Sequence, residues 1–329
     1  MPELETCLRG GFQGPSFANR LTVGIPMAVF TAVGLQFNIV LWRIITIQKD
    51  VIESNFRRHV ISLIGANVGG YHIFVKKFTT ITGFNLTAIF SLLPITFFGL
   101  SYPDWMLIAT STPDSFFYLV HLYTNFTVTL DRFLLFAAPS VYEHLNGRNH
   151  FALVLLPWLV AGWVIGHSTF LGCYKRFNAY QLRFQFDCAD CPFYPSFNSY
   201  VSLYLPVAIF ALYFVIFFLI FRKKITMGSK LSLKNRDFAI VLQFLIMFLI
   251  QLAGNLFFYL NFSSDVILES VIRLSASCWT SYSNPIVMFV FNNRIRRSYL
   301  AWGRKLWIFK RHLLDNCNTG SVRAISTTV

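Results

Sequence analysis

Residues 113–137 read PDSFFYLVHLYTNFTVTLDRFLLFA, a stretch dominated by apolar and aromatic residues that meets Asp131 and Arg132 near its end. An α-helix rises 1.5 Å per residue, so about 20 apolar residues cross the ~30 Å hydrocarbon core of a bilayer. Charge at the end of such a run is costly and marks function by default. Working outward, six more runs of spanning length appear, at 21–47, 79–102, 151–171, 198–221, 238–260 and 270–291. The stretch Val60 to Val75 is apolar too. If 79–102 spans, however, Lys76, Lys77 and Phe78 leave no room for a turn between antiparallel helices. Its glycines and flanking cations fit a membrane-surface or re-entrant piece. The predicted fold class is therefore an all-α membrane protein, a seven-transmembrane helix bundle with a short amphipathic helix after the last span.

Composition agrees. The chain is 55% hydrophobic and 13% charged, with 37 Phe, whereas a soluble domain is about 25% charged. A net charge of +14 would point to nucleic acid in a soluble protein. Here the cations lie between and after the spans, and no nucleic acid partner is expected. With the N-terminus outside, inner loops and tail hold 20 of the 28 Lys and Arg, and outer segments hold five. That imbalance predicts a cytoplasmic C-terminus. The expected organisation is an extracellular tail (1–20), a seven-span domain (21–291) and a cytoplasmic tail with an amphipathic helix (292–329). The first run is too long for a signal-peptide core and is read as an uncleaved helix.

Cys7, Cys173, Cys188 and Cys191 all fall on the expected outer side, where disulfides form; the sequence does not fix their pairing. Zinc is the competing reading of Cys188-Ala-Asp-Cys191, but no second ligand pair accompanies it. No metal or cofactor is expected.

With this orientation, Asp131-Arg132-Phe133 resembles the Asp-Arg-Tyr signature at the inner end of helix three in rhodopsin-like G-protein-coupled receptors. Asn38 matches that family's first-helix asparagine, and Asn85, nine residues before Pro94, stands where helix two usually carries an aspartate. Trp158 and Trp163 are candidates for the helix-four tryptophan, and Pro206 for the helix-five proline. Asn284-Pro285-Ile286-Val287-Met288 resembles Asn-Pro-x-x-Tyr. The phenylalanine richness, basic third inner loop and Cys-rich second outer loop are most similar to the nematode chemosensory serpentine receptors. Departures are present as well. The usual cysteine at the outer end of helix three is missing, the sixth span has no proline, and Asn38 and Asn85 are too far apart, with the surplus placed near 51–70.

The resemblance implies that Arg132 is held at rest and meets a heterotrimeric G protein when the helices part, with Asp131 and Asp237 as its partners. The bland alternative is a helix-end cation snorkelling to lipid headgroups. Asn38, Asn85, Asn284 and Pro285 would form an interhelical polar network and a bend, or else simply pack. Asp114 lies 18 residues before Arg132, ~27 Å along the axis, at the depth where amine receptors of this family hold a cationic ligand. Thr112-Pro113-Asp114 is also a good helix start, and that is the simpler reading. Arg273 is a candidate for a carboxylate ligand, though Glu269 one turn earlier is its simpler partner. Phe116, Phe117, His121, Tyr204, Asn255, Tyr259, Trp279 and Tyr282 complete the tentative ligand set, against a background rich in aromatics.

The function expected is a chemosensory plasma-membrane receptor, multi-pass and without enzymatic activity. It would bind a small external molecule and activate a heterotrimeric G protein. Trp302, Leu306, Trp307 and Phe309 would lie on membrane lipid, and Ser326 to Val329 would fit a PDZ domain. A transporter would show internal repeats or acids at mid-membrane, and an enzyme a catalytic dyad at depth; neither is visible. A degenerate, non-signalling receptor is the remaining alternative.

Overall fold

The computed structural model describes residues 2–11, 13–47, 54–68, 87–145, 148–186, 191, 193–226, 236–259 and 265–301. A short helix α1 (Pro2–Arg9) precedes the first span, α2 (Phe17–Ile47). α3 (Ser54–Val68) follows, then a π-helical turn (Ala88–Leu92) that runs into α4 (Leu93–Phe98). The third span, α5 (Asp104–Ala137), carries Asp131 and Arg132, and a single-turn helix α6 (Pro139–His144) leads to the fourth, α7 (Arg148–Phe170). A two-stranded hairpin, β1 (Arg176–Asn178) with β2 (Arg183–Gln185), separates it from α8 (Phe193–Thr226). α9 (Arg236–Tyr259) and α10 (Val266–Phe291) complete the bundle, and residues 293–301 are helical after it. Neighbouring helices close a ring in which α10 packs against both α9 and α2, while α5 lies at the centre against α3, α7 and α8.

The second span differs from the sequence expectation. It is built from two pieces in series rather than from residues 79–102. α3 is 15 residues long, and the π turn plus α4 run from Ala88 to Phe98. At 1.5 Å per residue these are ~22 and ~16 Å, so neither alone crosses the membrane. Both pack on α2 and on α5. Val60, Leu63 and Ile64 are buried in the inner core with Val40, Val128, Ile209 and Met288, so the described part of the stretch, 60–68, is interior and not a surface piece. The polar residues of α3 confirm its place: Ser62 Oγ accepts from Trp158 Nε1 of α7 (2.9 Å) and lies 3.5 Å from Thr124 Oγ1 of α5. Asn85, Lys76 and Lys77 lie outside the described residues.

The third span also starts earlier than expected, at Asp104, with Pro113 inside it. The helix-start reading of Thr112-Pro113-Asp114 is therefore wrong. Proline is tolerated inside spans where hydroxyls give the backbone other partners. In the turn before it, Thr110 Oγ1 donates to the Met106 carbonyl (2.7 Å) and Thr112 Oγ1 to that of Ile108 (2.8 Å), while the carbonyl that Pro113 leaves without its helical N–H is that of Ala109. Of the two tryptophans on α7, Trp158 faces inward, whereas Trp163 is 75% exposed.

An outer cluster around Val23, Met27, Leu92, Ile95, Phe177 and Leu182 seats the hairpin on the helices. Between the two cores, α2 and α10 touch through a glycine. A Cβ on Gly34 would stand 1.6 Å from the ring of Tyr282, which is 2% exposed. Gly34 also gives its carbonyl to Asn38 Nδ2 (2.8 Å).

Candidate functional site

The hairpin covers the outer mouth of the bundle. Phe177 and Leu182 are fully buried beneath it. Cys173 and Cys191 are joined by a disulfide that closes the loop on itself, and Cys7 is disulfide-bonded as well. Cys188 lies outside the described residues. With no cysteine at the outer end of α5, two ion pairs hold the loop to that helix. Arg176 grips Asp104 with two nitrogens, Nε to Oδ1 at 2.5 Å and a terminal nitrogen to Oδ2 at 3.0 Å. Lys175 Nζ reaches Asp114 Oδ2 at 2.5 Å and sits 4.2 Å above the Phe184 ring. The forked arginine pair is the stronger in geometry. Alanine at Asp104 and at Arg176 should each lower the unfolding temperature of the purified protein. The double variant should be no worse than the more damaging single one, with a coupling of about 1 kcal/mol; additive losses would mean the pair contributes nothing.

Each outer cation is matched locally. Arg20 donates to the Ile95 carbonyl (2.9 Å), and Arg9 lies over the Tyr180 ring at 5.9 Å. Arg183 approaches Glu269 at 3.7 Å, and Arg273 pairs with the same carboxylate.

Beneath the hairpin a cavity is lined by Asp114, Tyr118, Lys175, Ser202, Asn255 and Ser277, among others. Asp114 is 4% exposed, and its Oδ1 has no hydrogen-bond partner among the described residues. Of the ten ligand candidates, Asp114 and Asn255 are the ones among the described side chains that line this cavity. Phe117 packs with Phe116 on Trp158. His121 is buried without a described partner, and Tyr282 wedges against Gly34. Trp279 and Tyr204 are 43% and 61% exposed and face away from the interior. The side chain of Tyr259 lies outside the description.

From the cavity floor a polar thread descends. Asn255 Nδ2 donates to the Ser202 carbonyl of α8 (2.9 Å), and one turn below, Asn125 Nδ2 of α5 donates to Gln251 Oε1 of α9 (2.8 Å). The sequence reading missed Gln251 and Asn125. The signal was available: Gln251 and Asn255 stand one turn apart in an otherwise apolar helix, and polar groups in hydrocarbon must face protein. Asn284 and Pro285 are buried in α10, and the Asn284 amide has no hydrogen-bond partner among the described residues.

At the inner end, Arg132 and Asp131 are buried, 4% and 1% exposed, with Arg132 Nε 3.5 Å from Asp131 Oδ2. Phe133 is half-buried and packs on the inner core. Tyr213 of α8, stacked on Phe248 of α9 at 4.8 Å between centroids, lies close enough to feel the charge of Arg132. Asp131 has a second neighbour that the sequence reading did not foresee, His150 Nε2 at 3.1 Å. Asp237 stands in the first turn of α9, and its side chain lies outside the description.

Residues 73–292 match a family described as serpentine type 7TM GPCR chemoreceptor Srx. The crystal structure of squid rhodopsin is similar in fold, with a TM-score of 0.70 at 14% sequence identity, covering 97% of this chain and 94% of that one. No curated protein matches in sequence.

Proposed function

Because the chain belongs to the Srx family of serpentine seven-transmembrane chemoreceptors, we propose that it binds a small external molecule under the hairpin and activates a heterotrimeric G protein at its inner face. The observation that carries this reading is the buried Asp131–Arg132 pair at one end of α5, with a covered cavity towards the other end and polar contacts between α5, α8 and α9 in the span between them. A ligand shifts such an equilibrium only by binding the active arrangement more tightly than the resting one. The Asp114–Lys175 ion pair supplies that difference. A ligand with a charged group competes for one member of the pair and frees the loop from α5.

The proposed orientation places the N-terminus and hairpin outside and the basic tail in the cytosol, as the cation asymmetry favours. The tail beyond residue 301, which would lie on anionic lipid and offer Ser326 to Val329 to a PDZ domain, is outside the described residues. A folded but non-signalling receptor is the second reading, favoured by the 18 residues (69–86) that separate the two pieces of the second span.

A ligand panel applied to cells carrying the chain with a promiscuous G protein tests both. An agonist response is expected, and silence from a surface-expressed chain would favour the second reading. For a cationic agonist, Asp114→Asn should reduce potency at least about tenfold, the scale of one lost charge-assisted contact. Equal potency would retire the acid from ligand binding.

A further inference from the structure

We infer that His59, Asp131 and His150 form a transition-metal site that clips the inner ends of the second, third and fourth spans together. The three residues come from α3, α5 and α7, and one donor atom of each lies within 4.8 Å of the others. All three are at most 1% exposed. His150 Nε2 is already 3.1 Å from Asp131 Oδ1, and the His59 and His150 rings meet edge to face with centroids 4.9 Å apart. Among the described residues, neither nitrogen of His59 has a hydrogen-bond partner, nor does His150 Nδ1. Leaving a buried polar ring unpaired is costly, and nothing described on the protein compensates it.

Two imidazoles and one carboxylate suit zinc, cobalt or copper and are a poor set for magnesium or calcium, which take oxygen ligands. Bonds of about 2.0–2.1 Å in a tetrahedron set donor atoms about 3.3 Å apart. The Asp131–His150 edge already has that length, and His59 must draw in by about 1.5 Å or less. Water takes the fourth position. Asp131 serves both neighbours at once, with Oδ1 towards the rings and Oδ2 towards Arg132, so the ion and the guanidinium use different oxygens. The site does not depend on coupling to a G protein, and its test requires none.

The full-length chain, purified into lipid nanodiscs, is titrated with Co²⁺. One equivalent should produce the intense visible absorption of tetrahedral cobalt, and Zn²⁺ should displace it. His59→Gln and His150→Gln should each weaken binding at least about tenfold. A wild-type chain that gives no such absorption, or a band unchanged in either variant, overturns the site. If the variants do not fold, the wild-type unfolding temperature decides. It should rise with Zn²⁺ and not with Mg²⁺, and equal responses to the two ions overturn the proposal.

Discussion

Arg132→Ala should abolish agonist-dependent G-protein activation while the chain still reaches the cell surface in near-normal amounts. The arginine is buried beside Asp131 at the inner end of α5, where a planar fork of donors can exchange one acceptor for another as the helices part. Truncation removes that exchange. It also leaves the Asp131 carboxylate with His150 as its remaining partner among the described residues, so some loss of stability accompanies the loss of signalling. The two effects separate by assay: surface labelling reports the first and G-protein activation the second. Lys at this position keeps the charge and loses the fork, and it should restore little of the activation. Undiminished signalling from Arg132→Ala would remove the arginine from the mechanism. Normal signalling from the lysine variant would reduce its role to that of a point charge.

Gly34→Ala should sharply reduce the amount of folded receptor at the surface. The added methyl would sit 1.6 Å from the Tyr282 ring, far inside any tolerated contact, and Tyr282 is buried with Cys278 and flanked by Phe30 and Ile286. Neither the ring nor the helix can yield freely, because Gly34 also fixes Asn38 through its carbonyl. Overpacking of this kind costs about 1–3 kcal/mol in typical cores, a large part of the stability of a marginal fold. Combining it with Tyr282→Ala should recover much of the lost expression, since the space and the methyl then match. Wild-type surface levels from Gly34→Ala alone would mean that α2 and α10 do not approach each other in this way.

Much of this architecture was legible in the sequence because hydrocarbon imposes a simple rule, that backbone groups must bond within the segment. Seven spans, the arginine at the inner end of the third, and the absence of the usual helix-three cysteine all follow from that rule and from motif order. The second span was misread for a physical reason. Hydropathy measures how apolar a stretch is and does not record which helices it meets, so Val60 to Val75 and the run after Lys77 look like rival spans. Ser62 resolves the matter only once Trp158 is seen to donate to it. Asp114 was placed at a helix start because proline usually sits there in water-soluble helices; in a span the same proline can lie inside. The partners of Lys175 and Arg176 were invisible because loop-to-helix pairing is set by the folded loop and leaves no periodic trace. His59 and His150 stand 91 positions apart in the chain, and only the packing of α3 and α7 on a common helix joins them.

A cover fastened to the third helix by ion pairs and apolar packing answers to different conditions than one sewn to it by sulfur. Reducing agents can open the ring closed by Cys173 and Cys191, yet they leave the grip on Asp104 and Asp114 untouched. Rising ionic strength loosens that grip, more at the partly exposed Asp104 than at the sheltered Asp114. The hold of the hairpin loop on α5 is thereby tied to the ionic strength of the surrounding fluid.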